Sequence, residues 1–336
     1  MKNYMILWGC LFTLCWASCE GEDELDQIDV LEQESREIKN FLNEQVTGSV
    51  QGVPFYTING LLIDSIYIFH HDPSGVCARE NGFVLLDYTL QNLTGGYLDS
   101  TDPDQLLDSA RLAVYALGGP IYYALDTSRR FDYVAAALKY ISEGTQGELL
   151  IPSKLGAQDG VSLRYLLNVR RVIPDIKVYE RELIEQYLRS IPNSVGEPLT
   201  NYQGDTVVYT VLTKRGNGDR AIQVGDRITL SHKCAILDEV HLEQGVLRGV
   251  ETWDSVSMEH SLSHRYALKA YMQALTHLKA GDEAEIILPF SVAYGHSNVK
   301  HALTEQVLIP AYSTLIFRVA VHSVAAPQTV GSSEES

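Results

Sequence analysis

The chain repeats itself, and the repeat sets how many cores it can build. Phe131, Val134, Leu138 and Ile141, followed by Gly144, Leu149, Ile151 and Pro152, match Leu268, Tyr271, Leu275 and Leu278, followed by Gly281, Ile286, Leu288 and Pro289. The match has no gap and a constant offset of 137 residues. Upstream, Val84 to Thr89 corresponds to Ile228 to Lys233, and Tyr97-Leu98-Asp99-Ser100 to Thr252-Trp253-Asp254-Ser255. Two copies of one unit are expected. A length of 336 residues gives each copy room for an ordinary core plus linkers.

Periodicity assigns the elements of the second copy. Ile228, Leu230, His232, Cys234 and Ile236 alternate with Thr229, Ser231 and Lys233, the period of a half-buried strand, so His232 points inward. Leu268, Tyr271, Leu275 and Leu278 recur at helical spacing, and Gly281 ends that helix. Leu315, Phe317, Val319 and Val321 share one strand face. Strands flanking one short helix predict an α+β unit, an antiparallel sheet wrapped over the helix. An amphipathic helix precedes each copy: Ile28, Leu31, Ile38, Phe41 and Leu42 in one, and Val178, Leu183, Ile184, Tyr187 and Leu188 in the other. Each is either a partner-binding helix or a spacer packed on its neighbour.

Several segments of the second copy stand in a telling order. They are the strand Val224 to Leu230, then Trp253-Asp254-Ser255, Ala293-Tyr294-Gly295, Ile309-Pro310 and Thr314-Leu315-Ile316-Phe317. This order resembles the FKBP-type peptidyl-prolyl isomerases, over residues 203 to 324. The resemblance implies a proline-binding pocket with Trp253 and Phe317 as aromatic walls, Tyr271 as floor, and Leu308 and Ile309 closing one side. It implies catalytic roles for Tyr294, as donor to a substrate carbonyl, and for Asp254, as a buried orienting carboxylate. His232 stands where the family has Tyr, and Tyr271 where it has Trp. An imidazole beside Asp254 either titrates near neutral pH or is held neutral by a backbone hydrogen bond. The interval from Tyr294 to Phe317, twenty-three residues, implies an enlarged flap.

The first copy resembles the family less. Tyr88 and Asp99 are kept, but Leu98 replaces the aromatic wall, Val134 the floor, and Ala157 stands where Tyr294 stands in the second copy. Eight residues separate Ala157 from Tyr165, the counterpart of Phe317, which leaves no flap. A degenerate docking domain is expected.

Composition excludes other classes. A net charge of −17 disfavours nucleic acid, whose phosphates need a basic face. Of five cysteines only Cys77 and Cys234 remain as thiols outside the N-terminal segment, with no Cys-x-x-Cys or zinc spacing, and a bridge between them is left open. His260 and His264, with His296 or His301, have no acidic or Cys ligand at a fixed offset, so no metal is assigned. No Gly-x-Ser-x-Gly frames a nucleophile. No cofactor is implied, because proline isomerisation requires none. Residues 1–18 read as a signal peptide, and Trp16-Ala17-Ser18-Cys19 resembles the lipobox of bacterial lipoproteins, which implies lipidation of Cys19. The acidic run Glu20 to Glu24 resembles a surface-export signal of some Bacteroidota lipoproteins.

The expected organisation is therefore an acidic tether and helix over 19–60, a degenerate FKBP-like domain over 61–174, a linker helix over 175–202, an FKBP-like domain over 203–324, and a disordered tail over 325–336. The expected function is an envelope prolyl isomerase or chaperone. It would act on proline-containing segments of exported or outer-membrane proteins, from the periplasmic or cell-surface face of the outer membrane, to which a lipid anchor ties it. The alternative is a non-catalytic accessory subunit of an outer-membrane secretion or assembly complex.

Overall fold

The computed structural model describes residues 20–44, 46–57, 59–106, 113–126, 132–156, 161–191, 194–203, 206–245, 248–260 and 268–327. In chain order the first half contains α1 (Glu20–Glu44), β1 (Gln51–Tyr56), β2 (Leu62–Phe69), β3 (Phe83–Asn92), β4 (Tyr97–Ser100), β5 (Ile121–Ala124), α2 (Tyr133–Leu138), β6 (Thr145–Ile151), α3 (Ser153–Gly156) and β7 (Leu163–Ile173). The second half contains α4 (Ile176–Ser190), β8 (Leu199–Gln203), β9 (Thr206–Lys214), β10 (Arg227–Leu237), α5 (Glu239–Gln244), β11 (Arg248–Glu259), α6 (Lys269–Leu275), β12 (Glu283–Leu288), β13 (Val299–Lys300), β14 (Val307–Ile309) and β15 (Thr314–Ala325).

The strands form two antiparallel sheets with the same strand order. The first runs β1-β2-β6-β7-β3-β4, with β5 also on β3, and the second β8-β9-β12-β15-β10-β11. Element by element these are one topology, so the mixed α+β class holds in both halves. β13 and β14 form a separate hairpin.

Each sheet folds over its own short helix. α6 buries Ala270, Tyr271, Met272, Ala274 and Leu275 against Ile228, Leu230, Ile286, Leu288, Leu315 and Val319 of the second sheet. α2 buries Ala137 and Leu138 against Ile66, Val84, Leu149 and Val169 of the first. Gly144 and Gly281 both take φ in the left-handed region, +75° and +83°. In both halves that glycine donates its N–H across to the last strand of its sheet, to the Val169 and Val321 carbonyls. A side chain there would strain the turn, so the helix-to-strand step is conserved in geometry between the halves.

The opposite face of each sheet is covered by the helix that precedes it. Ile38 and Phe41 of α1 pack on Phe69 and Leu150, and the Glu34 carboxylate accepts from the Ser153 N–H and the Ser153 and Ser162 hydroxyls. Leu183, Ile184 and Tyr187 of α4 pack on Val211, Leu237, Ile287 and Ile316. Here Glu180 accepts from the Phe290 N–H at 2.6 Å and from the Thr314 hydroxyl. Burial lifts its pKa to about 6 against those two bonds. The described residues of both amphipathic stretches thus pack on the sheets they precede.

A second apolar seam joins the halves: Leu85, Ile173, Ile176 and Phe290 meet there, with Phe83 edge-on to Tyr312 at 4.9 Å. Arg171 pairs with Glu239 across it at 2.6 Å. Cys77, in an isolated bridge to Ser142 outside the named strands, and Cys234, on β10, are separate free thiols.

Three expected boundaries move. β1 lies within the expected tether and β8 within the expected linker, so each sheet begins one strand earlier than periodicity implies. β1 is an edge strand, mostly exposed, and such a strand carries no strong alternation. β15 continues to Ala325, so the last strand takes the first residue of the expected tail, and the tail beyond Pro327 lies outside the described residues. So does the whole signal segment with Cys19. Among the described residues no helix is long and apolar enough to cross a membrane.

Candidate active site

In the second half β10, β11, β15 and α6 bring four rings together. Tyr271 and Phe317 lie 4.4 Å apart at 30°, and His232 stacks on Trp253 at 3.9 Å and 21°. The imidazole stands edge-on to Phe317 and Tyr271 at 5.4 and 5.6 Å. His232, Tyr271 and Phe317 are buried and Trp253 half-buried, so the Trp indole forms the outer edge of the box. Ile309 is buried on β14, joined to the same core, with Leu308 half-buried beside it. Tyr294 follows the short turn Phe290–Val292 and is 40% exposed. No hydrogen bond holds its hydroxyl among the described residues. Burial, with Cys234 and Glu251 nearby, raises that phenol above its ordinary value.

Asp254 is not a member. His232 pairs with Trp253 and Leu230 with Val256, so Asp254 and Ser255 together oppose Ser231 in a bulge, with Ser255 at φ +117°. Strand alternation from inward Trp253 turns Asp254 to the outer face, where it is exposed. The expectation of a buried orienting carboxylate at this position is corrected. The carboxylate beside the box is Glu251, which accepts from the Trp253 indole N–H and places Oε2 3.8 Å from His232 Nε2.

The ladder explains why the motif misleads. In the first half the rung runs Leu149, Tyr165, Leu90, Asp99, and in the second Ile286, Phe317, Cys234, Glu251. Asp99 and Glu251 therefore occupy one structural position, although Asp99 aligns with Asp254 in the repeat. The signal that could have found Glu251 is its spacing: two residues before Trp253 puts it on the same strand face.

His232 takes the place of Tyr88. In the first half the Tyr88 hydroxyl reaches the Asp99 carboxylate directly. In the second, His232 Nδ1 meets the Tyr271 hydroxyl at 2.9 Å, while the buried Nε2 has no hydrogen-bond partner and faces Glu251. Tyr271 donating to Nδ1 leaves the imidazole proton on Nε2, an arrangement that suits the neutral ring. Burial lowers the His232 pKa to about 4. Burial thus favours the neutral imidazole over pH 5 to 8, held by a phenol rather than a backbone group. Peptide affinity should be flat over that range in both the natural protein and His232→Tyr. Stability behaves differently. The unfolded chain takes up the proton first, so the neutral ring's contribution is present above about pH 6.5 and lost as pH falls towards 4. Denaturation midpoints from pH 7 to 4.5 should fall more in the natural protein than in His232→Tyr, and parallel curves would refute the assignment.

Three of the four histidines weighed as metal ligands have structural contacts. His260 is fully buried and its Nε2 bonds the Met272 carbonyl at 2.6 Å. His296 packs edge-on against Tyr312, and His301 binds the Thr304 hydroxyl. His264 lies outside the described residues. Burial pushes the Cys234 thiol up to about 12, so it is an inert part of the core.

In the first half Asp99 is buried, accepting from Tyr88 and from the Val114 N–H at 2.9 Å. Tyr115 and Tyr165 stand within 6.4 and 5.9 Å of the Tyr88 ring. Tyr115 thus packs edge-on against the residue that corresponds to His232. Leu98 and Val134 are half-buried, and Ala157 lies outside the described residues. A separate polar cleft of about 870 Å³, lined among others by Thr89, Gln105, Asn168 and Gln244, runs between the first sheet and α5. It shares none of the four rings.

Residues 218–322 match the family model of the FKBP-type peptidyl-prolyl cis-trans isomerases. This FKBP-type match spans just under a third of the chain and contains every ring of the box, Tyr294 and the β13–β14 hairpin. No curated protein matches the chain. Among solved structures, the three FKBP domains of wheat FKBP73 superpose at 13% identity and a TM-score of 0.30, covering 78% of this chain and 95% of that one. A peptidyl-prolyl cis-trans isomerase from Pseudomonas syringae pv. tomato gives 13% identity and 0.33, covering 45% and 93%. FkpA from Escherichia coli gives 16% identity and 0.31, covering 46% and 61%. Superpositions this slight say nothing further about the chain.

Proposed function

We propose that the second, FKBP-type domain binds X-Pro segments of polypeptides in the aromatic box and isomerises them. The observation that carries this reading is the box itself, with the unpartnered Tyr294 hydroxyl at its rim. The barrier to rotation is the partial double-bond character of the imide, about 18–20 kcal/mol. A proline ring between Trp253, Phe317 and Ile309 would take the imide out of water, where its charge-separated planar form is less favoured. A Tyr294 hydrogen bond to a substrate carbonyl would hold the chain in the twisted form. Tyr271 and His232, bonded to each other, keep the floor rigid and offer no competing acceptor.

The first domain is read as FKBP-like but non-catalytic. Leu98 and Val134 stand where the second domain has Trp253 and Tyr271, and its buried carboxylate is already satisfied by Tyr88 and the Val114 N–H. Lipidation at Cys19 would tether the protein to the outer membrane of a bacterial envelope, with exported proteins as clients. Cys19→Ser should release it into the soluble fraction or leave the precursor uncleaved; a mature, membrane-bound variant would remove the anchor from the reading.

Turnover of a proline peptide by the whole protein tests the main proposal. Tyr294→Phe should lower kcat/KM by about tenfold or more, the loss of one polar transition-state contact. Asp254→Asn, on the outer face, should leave it unchanged. Loss of activity in Asp254→Asn with none in Tyr294→Phe would place the site elsewhere. Retained peptide affinity without turnover would favour the non-catalytic accessory subunit.

A further inference from the structure

The wall residues Leu308 and Ile309 sit on a hairpin too small to hold itself. β13 and β14 share two paired positions, Val299 with Ile309 and Lys300 with Val307, and an isolated two-stranded pair of this size is not stable in water. The first domain supplies a third strand. The Val307 N–H donates to the Val114 carbonyl at 2.7 Å, and the Ala116 N–H donates to the Val307 carbonyl at 2.9 Å, a parallel pairing centred on Tyr115 and Val307. The Gln306 side-chain amide donates to the Ala113 carbonyl at 2.9 Å. One residue further, Leu117 packs on the core of the second domain. Arg248 then donates to the Gly118 and Pro120 carbonyls.

The same segment is fixed at its other side by the first domain. The Asp99 carboxylate holds the Val114 N–H, and Tyr115 packs against Tyr88. A continuous path therefore runs from the buried Asp99–Tyr88 pair, through the backbone of residues 114–116, to Val307 and the pocket wall two residues on. We propose that residues 113–117 of the first domain position the flap of the second domain's pocket, so that the degenerate copy completes the peptide site of the active one. Ala116 and Gln306 are positioning residues and touch no substrate. This rests on the peptide-binding reading above and names the part of the chain that sets its affinity.

Full-length Ala116→Pro removes one donor of the added pairing. Ala116→Ser keeps the donor and serves as the rescue. Three readouts are compared: hydrogen exchange at the Val307 amide, anisotropy of a labelled proline peptide, and KM against kcat. In Ala116→Pro, Val307 exchange should accelerate, and affinity should weaken with a rise in KM of about two- to tenfold, the scale of one net hydrogen bond. kcat should stay within about twofold, because the rings and Tyr294 are untouched. Gln306→Ala should move the same readouts in the same direction and by less, and it decides the matter if Ala116→Pro does not fold. Unchanged Val307 exchange would overturn the proposal, as would faster exchange with unchanged affinity. If the natural protein shows no turnover, the isomerase reading fails, and exchange and affinity alone still decide whether the first domain sets the flap.

Discussion

Arg248→Ala is expected to destabilise the protein by about 3–5 kcal/mol, the cost of leaving one member of a buried ion pair without its partner. Arg248 reaches Asp238 at 2.5 Å, with side chains 12% and 1% exposed. Asp238 also accepts from the His241 N–H as the cap of α5, so its charge is built into the helix start. Without the guanidinium that carboxylate stays buried and unpaired, and the Gly118 and Pro120 carbonyls lose their donor. Arg248→Lys should recover only part, since an ammonium cannot fork between a carboxylate and two carbonyls. Adding Asp238→Asn to Arg248→Ala should recover stability by removing the orphaned charge. Urea denaturation of the four proteins measures this, and a loss below about 1 kcal/mol in Arg248→Ala would show that water reaches the pair.

Phe317→Ala should cost about 3–5 kcal/mol, as large-to-small changes at buried aromatic positions do. Phe317 is 6% exposed and lies between Tyr271 and His232 while joining β15 to Cys234 and Ile286 on either side. Its ring is both core and pocket wall, so peptide affinity should fall with stability. Phe317→Leu separates the two roles. It refills much of the volume, which should return most of the stability, but provides no flat face for a proline ring. Stability and affinity recovering together in Phe317→Leu would mean that the ring acts only by filling space. Affinity is measured below the unfolding range, so that loss of fold is not read as loss of site.

The box was largely legible because its members sit on strongly periodic elements. Alternation along Ile228 to Ile236 turned His232 inward, helical spacing from Leu268 exposed Tyr271 to the sheet, and the face shared by Leu315 and Phe317 completed the wall; all three lie in one core. Asp254 was misplaced by the motif, although strand alternation from inward Trp253 turns it outward. Only the pairing of β10 with β11 shows the bulge at Asp254–Ser255, with Asp254 on the outer face and the half-exposed Glu251, in no motif, beside His232. Glu180 was unreadable for a similar reason. A glutamate among polar residues of an amphipathic helix reads as solvated, yet it is buried because Phe290 and Thr314 approach from over a hundred residues away.

The sequence by itself determined the repeat, the α+β class, the inward strand faces and the amphipathic helices, because each is a property of local spacing and of which side chains shun water. Only the tertiary structure decided the register between strands, the bond of His232 to Tyr271 and the joining of residues 114–116 to Val307. Those depend on backbone hydrogen bonds between distant segments and on the exclusion of water from the assembled core, and neither is encoded at any fixed separation along the chain.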